Sequence, residues 1–177
     1  MQQVERVEQL LAKQDLHELV ASFCRAVDRS DEAGIVSLFH EGAVIDTGVI
    51  RAEREAFARQ YIEWAQCNAR TLFHLVSNEY YEINGSKAKG EVYVLAVSCL
   101  LTQNEGEFTY HVTGGRYLDR FEKRIGIWRF SERRFVLDST VQVGASDAVT
   151  IVEQTAGMLT GSLRGPDPSH NFWNRPC

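Results

Sequence analysis

Cysteine is scarce in this 177-residue chain, and its four cysteines form no pattern that binds a metal ion. They are widely spaced, lack a Cys-x-x-Cys pair and have no histidine at zinc-ligand spacing; they are Cys24, Cys67, Cys99 and Cys177. We therefore expect free thiols, as in a reducing compartment, and no zinc site.

The sequence also has no long apolar run. The longest, from Val92 to Leu101, includes one serine and is about half as long as a membrane-spanning helix must be. The first eight residues are charged and amphipathic, without the uninterrupted apolar stretch of a signal peptide. These features predict a cytoplasmic protein without a membrane partner.

An excess of positive charge is missing too. The formal net charge is -5 and the pI is about 5.6, whereas a nucleic-acid surface needs clustered Lys and Arg. Basic residues outnumber acidic ones between Arg116 and Arg134, but they follow an alternating strand pattern that favours a solvated hairpin face. We expect no nucleic-acid partner.

The motifs of cofactor chemistry do not occur in the sequence. It has no glycine-rich phosphate loop, nucleophile elbow or dinucleotide fingerprint. It also has no cluster of His, Asp and Glu at metal-ligand spacing. We therefore expect chemistry that needs neither a cofactor nor a metal.

The first part of the chain has helical periodicity. Apolar residues recur at intervals of three and four from Val4 to Val27, which predicts a helix with one apolar stripe. Asp15 and Glu18 resemble a capping box. We therefore expect a short leading helix that ends near Lys13, followed by the main helix.

Two more helices and a short strand are predicted next. Ser30-Asp31-Glu32 offers a polar cap and acidic residues for a second helix. Ala43-Val44-Ile45-Asp46 is short enough for a strand before the Thr47-Gly48 turn. A third helix from about residue 53 to residue 66 follows, because good helix formers dominate there.

After Asn68 the period becomes that of β-strands. Four strands are predicted, at residues 71–83, 87–102, 108–124 and 128–138, with an Asn84-Gly85 hairpin turn between the first two. Three helices followed by a four-stranded antiparallel meander indicate one α+β domain over residues 1–138, with the helices in the concavity of the sheet.

Residues 139–177 read as an irregular tail rich in glycine and proline. Four of its residues are too apolar for a free tail, namely Leu159, Leu163, Phe172 and Trp173. We expect the tail to pack on the domain or on a neighbouring subunit.

Asp28 and His74 are the main catalytic candidates. Asp28 closes the apolar helix on the flank of its apolar face, and His74 stands between apolar neighbours in a predicted strand. A neutral imidazole can accept a proton near neutral pH, and a carboxylate bonded to one ring nitrogen fixes the other as the acceptor. The alternative is a core histidine that bonds to Asp28 for structural reasons.

Four further residues are candidates for substrate binding. The hydroxyl of Tyr93 or Tyr117 could polarise a carbonyl, although both tyrosines also fit aromatic core positions. His111 alternates with threonines and could face either the cavity or water. Arg133 could bind an anionic group, yet it also fits an exposed pair with Arg134.

The order of elements, together with three stretches, resembles the SnoaL-like branch of the nuclear transport factor 2-like superfamily. The stretches are residues 26–31 (AVDRSD), residues 73–78 (FHLVSN) and residues 114–122 (GGRYLDRFE) ahead of Trp128-Arg129. The resemblance covers roughly Val7 to Asp138. It implies a cone-shaped curved sheet closed by three N-terminal helices, the cystatin-like half-barrel.

Within that superfamily the chain is similar to the hexachlorocyclohexane dehydrochlorinases and scytalone dehydratases. The resemblance implies that Asp28 and His74 are a catalytic pair and that Tyr117 and Arg133 line the pocket. Phe23 stands where the dehydrochlorinase pattern has a lysine. That difference argues against chloride elimination.

The sequence thus suggests a lyase of dehydratase type or an isomerase that acts on a small apolar, possibly cyclic substrate. Two alternatives stay open: a non-catalytic ligand-binding protein or partner subunit, like the small subunit of ring-hydroxylating dioxygenases, and a polyketide cyclase. Self-association as a homo-dimer or homo-trimer is expected, because one face of the sheet offers apolar positions that need cover.

Overall fold

A computed structural model of the chain describes residues 2–104 and 107–143, together with Ser162, Leu163, Asp167 and Ser169. Its helices are α1 (Gln2–Asp28), α2 (Glu32–Ser37) and α3 (Arg54–Asn68). Its strands are β1 (Phe39–Asp46), β2 (Arg51–Glu53), β3 (Ala69–Asn84), β4 (Lys87–Leu101), β5 (Phe108–Arg124) and β6 (Ile127–Val143).

The strands form one curved, unclosed sheet in the order β2-β1-β6-β5-β4-β3. Strands β3 to β6 are the predicted antiparallel meander, and β6 continues five residues beyond its predicted end at Asp138. The short strand predicted at residues 43–46 is the second half of β1, and with β1 and β2 the sheet has six strands rather than the four of the meander. β1 joins β6 in parallel and β2 pairs with β1, and such a distant pairing leaves no trace in local periodicity.

Helix α1 is one unbroken element, so the predicted interruption near Lys13 was wrong. Its sequence contains neither glycine nor proline, and a possible capping box does not break a helix that propensity favours on both sides. Helix α2 starts as predicted, because the Asp31 side chain accepts a hydrogen bond from the Gly34 amide at 2.8 Å.

The helices pack against the concave face of the sheet through a cluster of phenylalanines. Phe23 from α1 and Phe57 from α3 meet Phe39, Phe121 and Phe130 from the sheet, and all five are buried. Ring centroids lie 5.8 Å apart for Phe23 and Phe39 and 4.8 Å apart for Phe39 and Phe130. This packing fixes the end of α1 relative to the sheet, as the predicted α+β architecture requires.

Part of the tail contacts the domain. Leu163 is buried with Ala65 and Ala69, at the junction of α3 and β3. The buried Asp167 carboxylate lies 3.3 Å from the Arg29 guanidinium, just after α1. Leu159, Phe172 and Trp173, on which the predicted packing of the tail also depended, lie outside the described residues.

None of the helices that the structure describes is long and apolar enough to cross a membrane.

Candidate active site

A cavity of about 530 Å³ opens in the concavity of the sheet, between α1, α3 and the inner faces of β3 to β6. Its walls are mainly apolar, which is typical of sites for small organic ligands. The lining residues are Phe23, Val27, Thr47, Val49, Ile50, Phe57, Gln60, Tyr61, Trp64, Leu72, His74, Val94, Ala96, Ser98, Thr113, Tyr117, Arg133 and Phe135.

Asp28 and His74 meet at the wall of this cavity. One carboxylate oxygen of Asp28 lies 2.6 Å from His74 Nδ1, and the other accepts the His74 backbone amide at 3.0 Å. Asp28 is only 8% exposed, so water competes little for its charge. Because a carboxylate can only accept at this contact, the proton is assigned to Nδ1, which leaves Nε2 as a proton acceptor.

Local structure explains this meeting. Asp28 is the last residue of α1, and the preceding turns bury Leu16, Val20 and Phe23 against the sheet, so the C-terminus of the helix ends over β3. Along β3 side chains alternate: His74 faces the cavity, whereas Phe73 is 55% exposed on the outer face. The observed alternation along β3 therefore places the imidazole toward the end of α1.

Arg133 is 1% exposed and forms a buried ion pair with Asp119. Its Nε and Nη2 donate to the two carboxylate oxygens at 2.8 and 2.7 Å. Burial alone would lower the pKa of the guanidinium, but the adjacent carboxylate reverses the shift and raises it. The arginine therefore remains charged, and the pair as a whole is neutral.

Three aromatic rings surround the Arg133 guanidinium. Its central carbon lies 4.2 Å from the ring centroid of Phe23, 4.1 Å from that of Tyr117 and 4.2 Å from that of Phe130, within the range of cation–π contacts. Phe23 stands where the dehydrochlorinase pattern has a lysine. Its ring stacks on the Arg133 guanidinium, so this position adds no second cation. Arg133 Nη1 has no hydrogen-bond partner among the described residues and lies in a cavity-lining side chain.

Tyr117 is buried, and its ring lines the cavity beside Arg133. Burial raises the pKa of its hydroxyl well above the ordinary value, so the group stays protonated. Gly115, next but one along β5, leaves room for this arrangement. A Cβ on Gly115 would clash with the Val136 carbonyl oxygen and with the Phe135 ring, which forms the adjacent wall.

Tyr93 and His111 are not brought to the cavity. Tyr93 lies on the outer face of β4 and is 44% exposed, so the expectation that it contacts substrate in this cavity was wrong. The alternation of β4 points Val92 and Val94 inward instead. His111 shares the inner face with its register partner Ser98, but it is not among the residues that line the cavity.

Sequence reasoning missed Asp119 and Tyr61. Asp119 shares the inner face of β5 with Tyr117, two residues earlier, so alternation could have found it, but its partner depends on the β5–β6 register. Helical spacing groups Tyr61 with Phe57 and Trp64 on one face of α3. All three line the cavity, which helical periodicity alone could not show.

Within the described residues, no group of three or more His, Cys, Asp or Glu side chains could hold a metal ion. The absence of a metal and of a cofactor from the reaction stays a prediction. The lining residues with polar side-chain atoms are His74, Arg133, Gln60, Trp64 and the hydroxyl residues Thr47, Tyr61, Ser98, Thr113 and Tyr117.

Comparison with known proteins identifies the fold. The sequence profile of the SnoaL-like domain matches residues 8–134. No curated protein matches the chain. Three solved structures illustrate the likeness at the level of the fold.

The first is a candidate scytalone dehydratase from Novosphingobium aromaticivorans, with a TM-score of 0.67 and 18% identity, covering 79% of this chain and 95% of that one. The second is the type 3 hexachlorocyclohexane dehydrochlorinase LinA from Novosphingobium barchaimii, with a TM-score of 0.70 and 18% identity, covering 78% and 94%. The third is a protein of unknown function from Mycobacterium tuberculosis, with a TM-score of 0.62 and 26% identity, covering 74% of each chain. These similarities support the predicted cone-shaped α+β fold.

Proposed function

The chain belongs to the SnoaL-like domain family, and from this premise we propose that it is a cofactor-independent lyase of dehydratase type, or an isomerase, that abstracts a proton from carbon with an Asp-His dyad. The observation that carries the proposal is the 2.6 Å contact between Asp28 and His74 Nδ1 at the wall of an apolar cavity. Two of the similar structures, the candidate scytalone dehydratase and the dehydrochlorinase, have names that denote eliminations, which supports the proposal.

His74 is the proposed base. Its Nε2 has no hydrogen-bond partner in the part of the chain that the structure describes, and the ring lines the cavity. When Nε2 takes a proton, the imidazolium that forms lies against the Asp28 carboxylate, which stabilises it. Such general-base catalysis is worth about 10²- to 10⁴-fold in rate.

When the C–H bond breaks, its electron pair moves toward an oxygen of the substrate. That oxygen needs a hydrogen-bond donor. The Tyr117 hydroxyl is a donor in the cavity wall, and Arg133 is a second candidate, whose Nη1 is buried without a hydrogen-bond partner among the described residues. Because Asp119 already neutralises Arg133, the pair favours a neutral or partly charged oxygen over a free anion. With Phe23 in the place of a second cation, we propose loss of water or migration of a double bond rather than loss of chloride.

The substrate is proposed to be small and mostly apolar. A cavity of about 530 Å³ lined largely by aromatic and aliphatic side chains can enclose a ring compound and exclude water from it. The inner-face positions of Val94 and Ala96 on β4 and of Leu72 on β3 supply apolar surface around His74.

Hydrogen exchange at carbon tests the proposal without the true substrate. Small cyclic ketones are incubated in D₂O, and the loss of α-proton signal is followed by NMR. Wild type should accelerate the exchange, and His74→Ala should reduce the enzymatic rate by about 10²- to 10⁴-fold.

A matched control is His17→Ala. His17 also pairs with a carboxylate, Glu79, at 2.9 Å, but it lies on the surface, away from the cavity. This variant should leave the exchange rate unchanged. Exchange in the wild type no faster than in buffer, or equal rates in wild type and His74→Ala, would refute the proposal.

An open apolar cavity also fits a non-catalytic ligand-binding protein. That alternative predicts ligand binding that survives the His74→Ala substitution, without any exchange in the wild type. A polyketide cyclase would need a wider cavity and flat polycyclic ligands, which the same exchange assay can include as substrates.

Self-association through the outer face of the sheet is a further part of the proposal. Phe73, Leu75, Tyr93 and Leu95 lie on adjacent strands there and are 41–55% exposed. Leu95→Glu should shift a homo-dimer or homo-trimer toward monomer in sedimentation, whereas Ile125→Glu, at a fully exposed turn, should not. A monomeric wild type would contradict this proposal.

A cytoplasmic location is also proposed. The buried Cys24 and Cys99 form no disulfide, which is compatible with a reducing compartment.

A further inference from the structure

The chain makes a tight turn directly after Asp28, at the C-terminus of α1. Ser30 has a φ of 53°, a left-handed backbone conformation that residues other than glycine adopt only at a cost. Its amide donates to the Val27 carbonyl at 3.4 Å, and the Asp31 amide donates to the Ala26 carbonyl at 2.9 Å. This pattern is a Schellman motif, which ends a helix and satisfies two of its last carbonyl groups.

The carbonyl of Asp28 itself is satisfied by a side chain. Arg29 Nη1 donates to the Asp28 carbonyl oxygen at 3.0 Å, and Arg29 Nε lies 3.3 Å from the carboxylate of Asp167 in the tail. The Asp167 side chain is only 3% exposed, so solvent screens this ion pair little. One guanidinium therefore connects the main chain of Asp28 to the tail.

Asp167 is held in place by the tail around it. Its carboxylate accepts the backbone amides of Ser162 at 3.0 Å and of Ser169 at 2.9 Å, as well as the Ser169 hydroxyl. Leu163, which follows Ser162, is buried at the junction of α3 and β3. Because several fixed donors orient the carboxylate, the guanidinium that pairs with it has a preferred position.

The Asp-His dyad depends on the same turn of helix. The Asp28 carboxylate contacts His74 Nδ1 at 2.6 Å and the His74 amide at 3.0 Å. Hydrogen bonds weaken steeply when their distance or angle changes, so a small shift of the last turn of α1 would weaken both contacts. The contacts run from Asp167 through Arg29 and Asp28 to His74, and none is longer than 3.3 Å.

We propose that Asp167 is a positioning residue for the dyad, which it supports through Arg29 and the last turn of α1. The inference rests on the proposed function, because it concerns the same dyad. Asp167 lies beyond residues 8–134, which match the family, so the likeness to the family does not account for this support. When the Asp167 charge is removed, Arg29 loses its contact with the tail, and the contact between Asp28 and His74 Nδ1 becomes looser.

The tautomer of His74 tests the inference without a substrate. Long-range ¹H–¹⁵N NMR should show the Nδ1–H tautomer in wild type, and Asp167→Asn should raise the Nε2–H population several-fold. In the cyclic-ketone exchange assay, Asp167→Asn should lower kcat by up to about 10²-fold, because the base is misplaced, and leave KM nearly unchanged. A residue that only stabilises the fold would change neither the tautomer nor the ratio of these two constants.

A double-mutant cycle with Arg29→Met tests the route. If Asp167 acts through Arg29, Asp167→Asn should have no further effect on the tautomer in the Arg29→Met protein. Asp138→Asn, which breaks an exposed ion pair with Arg116, is the control and should leave the tautomer as in wild type.

Three results would overturn the inference: a wild type without the Nδ1–H tautomer, an unchanged tautomer in Asp167→Asn, or independent effects of the two substitutions in the cycle. A wild type that does not exchange protons, but whose His74 tautomer responds to Asp167→Asn as expected, would refute the proposed function and leave the positioning role standing.

Discussion

Asp28 holds His74 at two points, through the imidazole Nδ1 at 2.6 Å and through the backbone amide at 3.0 Å. The second contact is the more informative one. A backbone N–H can only donate, so it determines which carboxylate oxygen of Asp28 contacts the His74 main chain and which one contacts the ring. The end of α1 therefore determines both the position of β3 and the tautomer of the imidazole.

This double contact makes a specific prediction for Asp28→Asn. The amide oxygen should keep the His74 backbone N–H, because an NH₂ group cannot accept it, and the NH₂ group should then face Nδ1. Nδ1 becomes an acceptor, the proton moves to Nε2, and the base is lost. Long-range ¹H–¹⁵N NMR should show the Nδ1–H tautomer in wild type and the Nε2–H tautomer in the variant.

Proton exchange of bound ketones should fall by about 10²- to 10⁴-fold in Asp28→Asn. Glu79→Gln, which alters the surface partner of His17, should change neither the tautomer of His74 nor the rate. An unchanged His74 tautomer in Asp28→Asn would show that Asp28 does not set the protonation of the ring.

The pair of Asp119 and Arg133 predicts a large effect on stability. Asp119→Ala leaves the 1% exposed guanidinium without its carboxylate, and breaking a buried ion pair in this way costs about 3–5 kcal/mol. Urea denaturation should report this loss in the free energy of unfolding. Glu132→Ala is the control, since its pairs with Arg120 and Arg134 are on the surface and are worth at most about 1 kcal/mol. Equal effects would mean that the Arg133 pair is not structural.

The sequence predicted the parts of the site that depend on local pattern. The end of α1 at Asp28 and the antiparallel strands β3 to β6 follow from periods of 3.6 and 2, because each is set within one element or one hairpin. The inward direction of His74, which stands between the apolar Phe73 and Leu75, came from the family resemblance. The position of Arg133 in the cavity came from the family resemblance, since alternation alone allowed an exposed pair with Arg134.

What could not be predicted depends on contacts between distant segments. The parallel pairing of β1 with β6 and the partnership of Asp119 with Arg133 need the sheet register. Tyr93 is a further example. Because β4 is apolar along most of its length, alternation could not predict which of its sides faces inward, and Tyr93 lies on the outer side. The direction of Tyr61 depended on how α3 packs against the sheet.

Cys24 provides a prediction that depends on pH. Burial raises the pKa of its thiol from 9.0 to about 12, so at pH 8 the thiolate fraction is only about 10⁻⁴. A thiol reagent should modify the exposed Cys67 quickly and Cys24 only after unfolding, as peptide mass spectrometry would show. Rapid labelling of Cys24 in the folded protein would contradict its burial.

The same shift affects alkaline stability. Because the folded-state pKa lies above the unfolded one, the contribution of Cys24 is fully present below pH 9 and is lost as the pH rises toward 12. Cys24→Ala has no thiol to ionise, so its free energy of unfolding should fall less steeply over that interval. Identical slopes for both proteins would contradict the prediction.

The contact of the tail with the domain depends on Asp167. Burial alone would raise the pKa of its carboxyl, but hydrogen bonds from the Ser169 hydroxyl and from the amides of Ser162 and Ser169, together with Arg29, lower it to about 2. The stabilisation is therefore present above the ordinary pKa near 4 and lost only as the pH falls toward 2.

Asp167→Asn removes this charge at neutral pH, where the effect is easiest to measure. We expect it to weaken the docking of Leu163 on Ala65 and Ala69, because the carboxylate anchors the segment beside Arg29. Hydrogen–deuterium exchange at the α3–β3 junction should then increase several-fold. Asp138→Asn, which loses an exposed pair with Arg116, should leave that junction unchanged. No change in exchange for Asp167→Asn would mean that Leu163 docks without the ion pair, so that apolar contact alone holds the tail against the wall that Leu72 and Tyr61 share with the cavity.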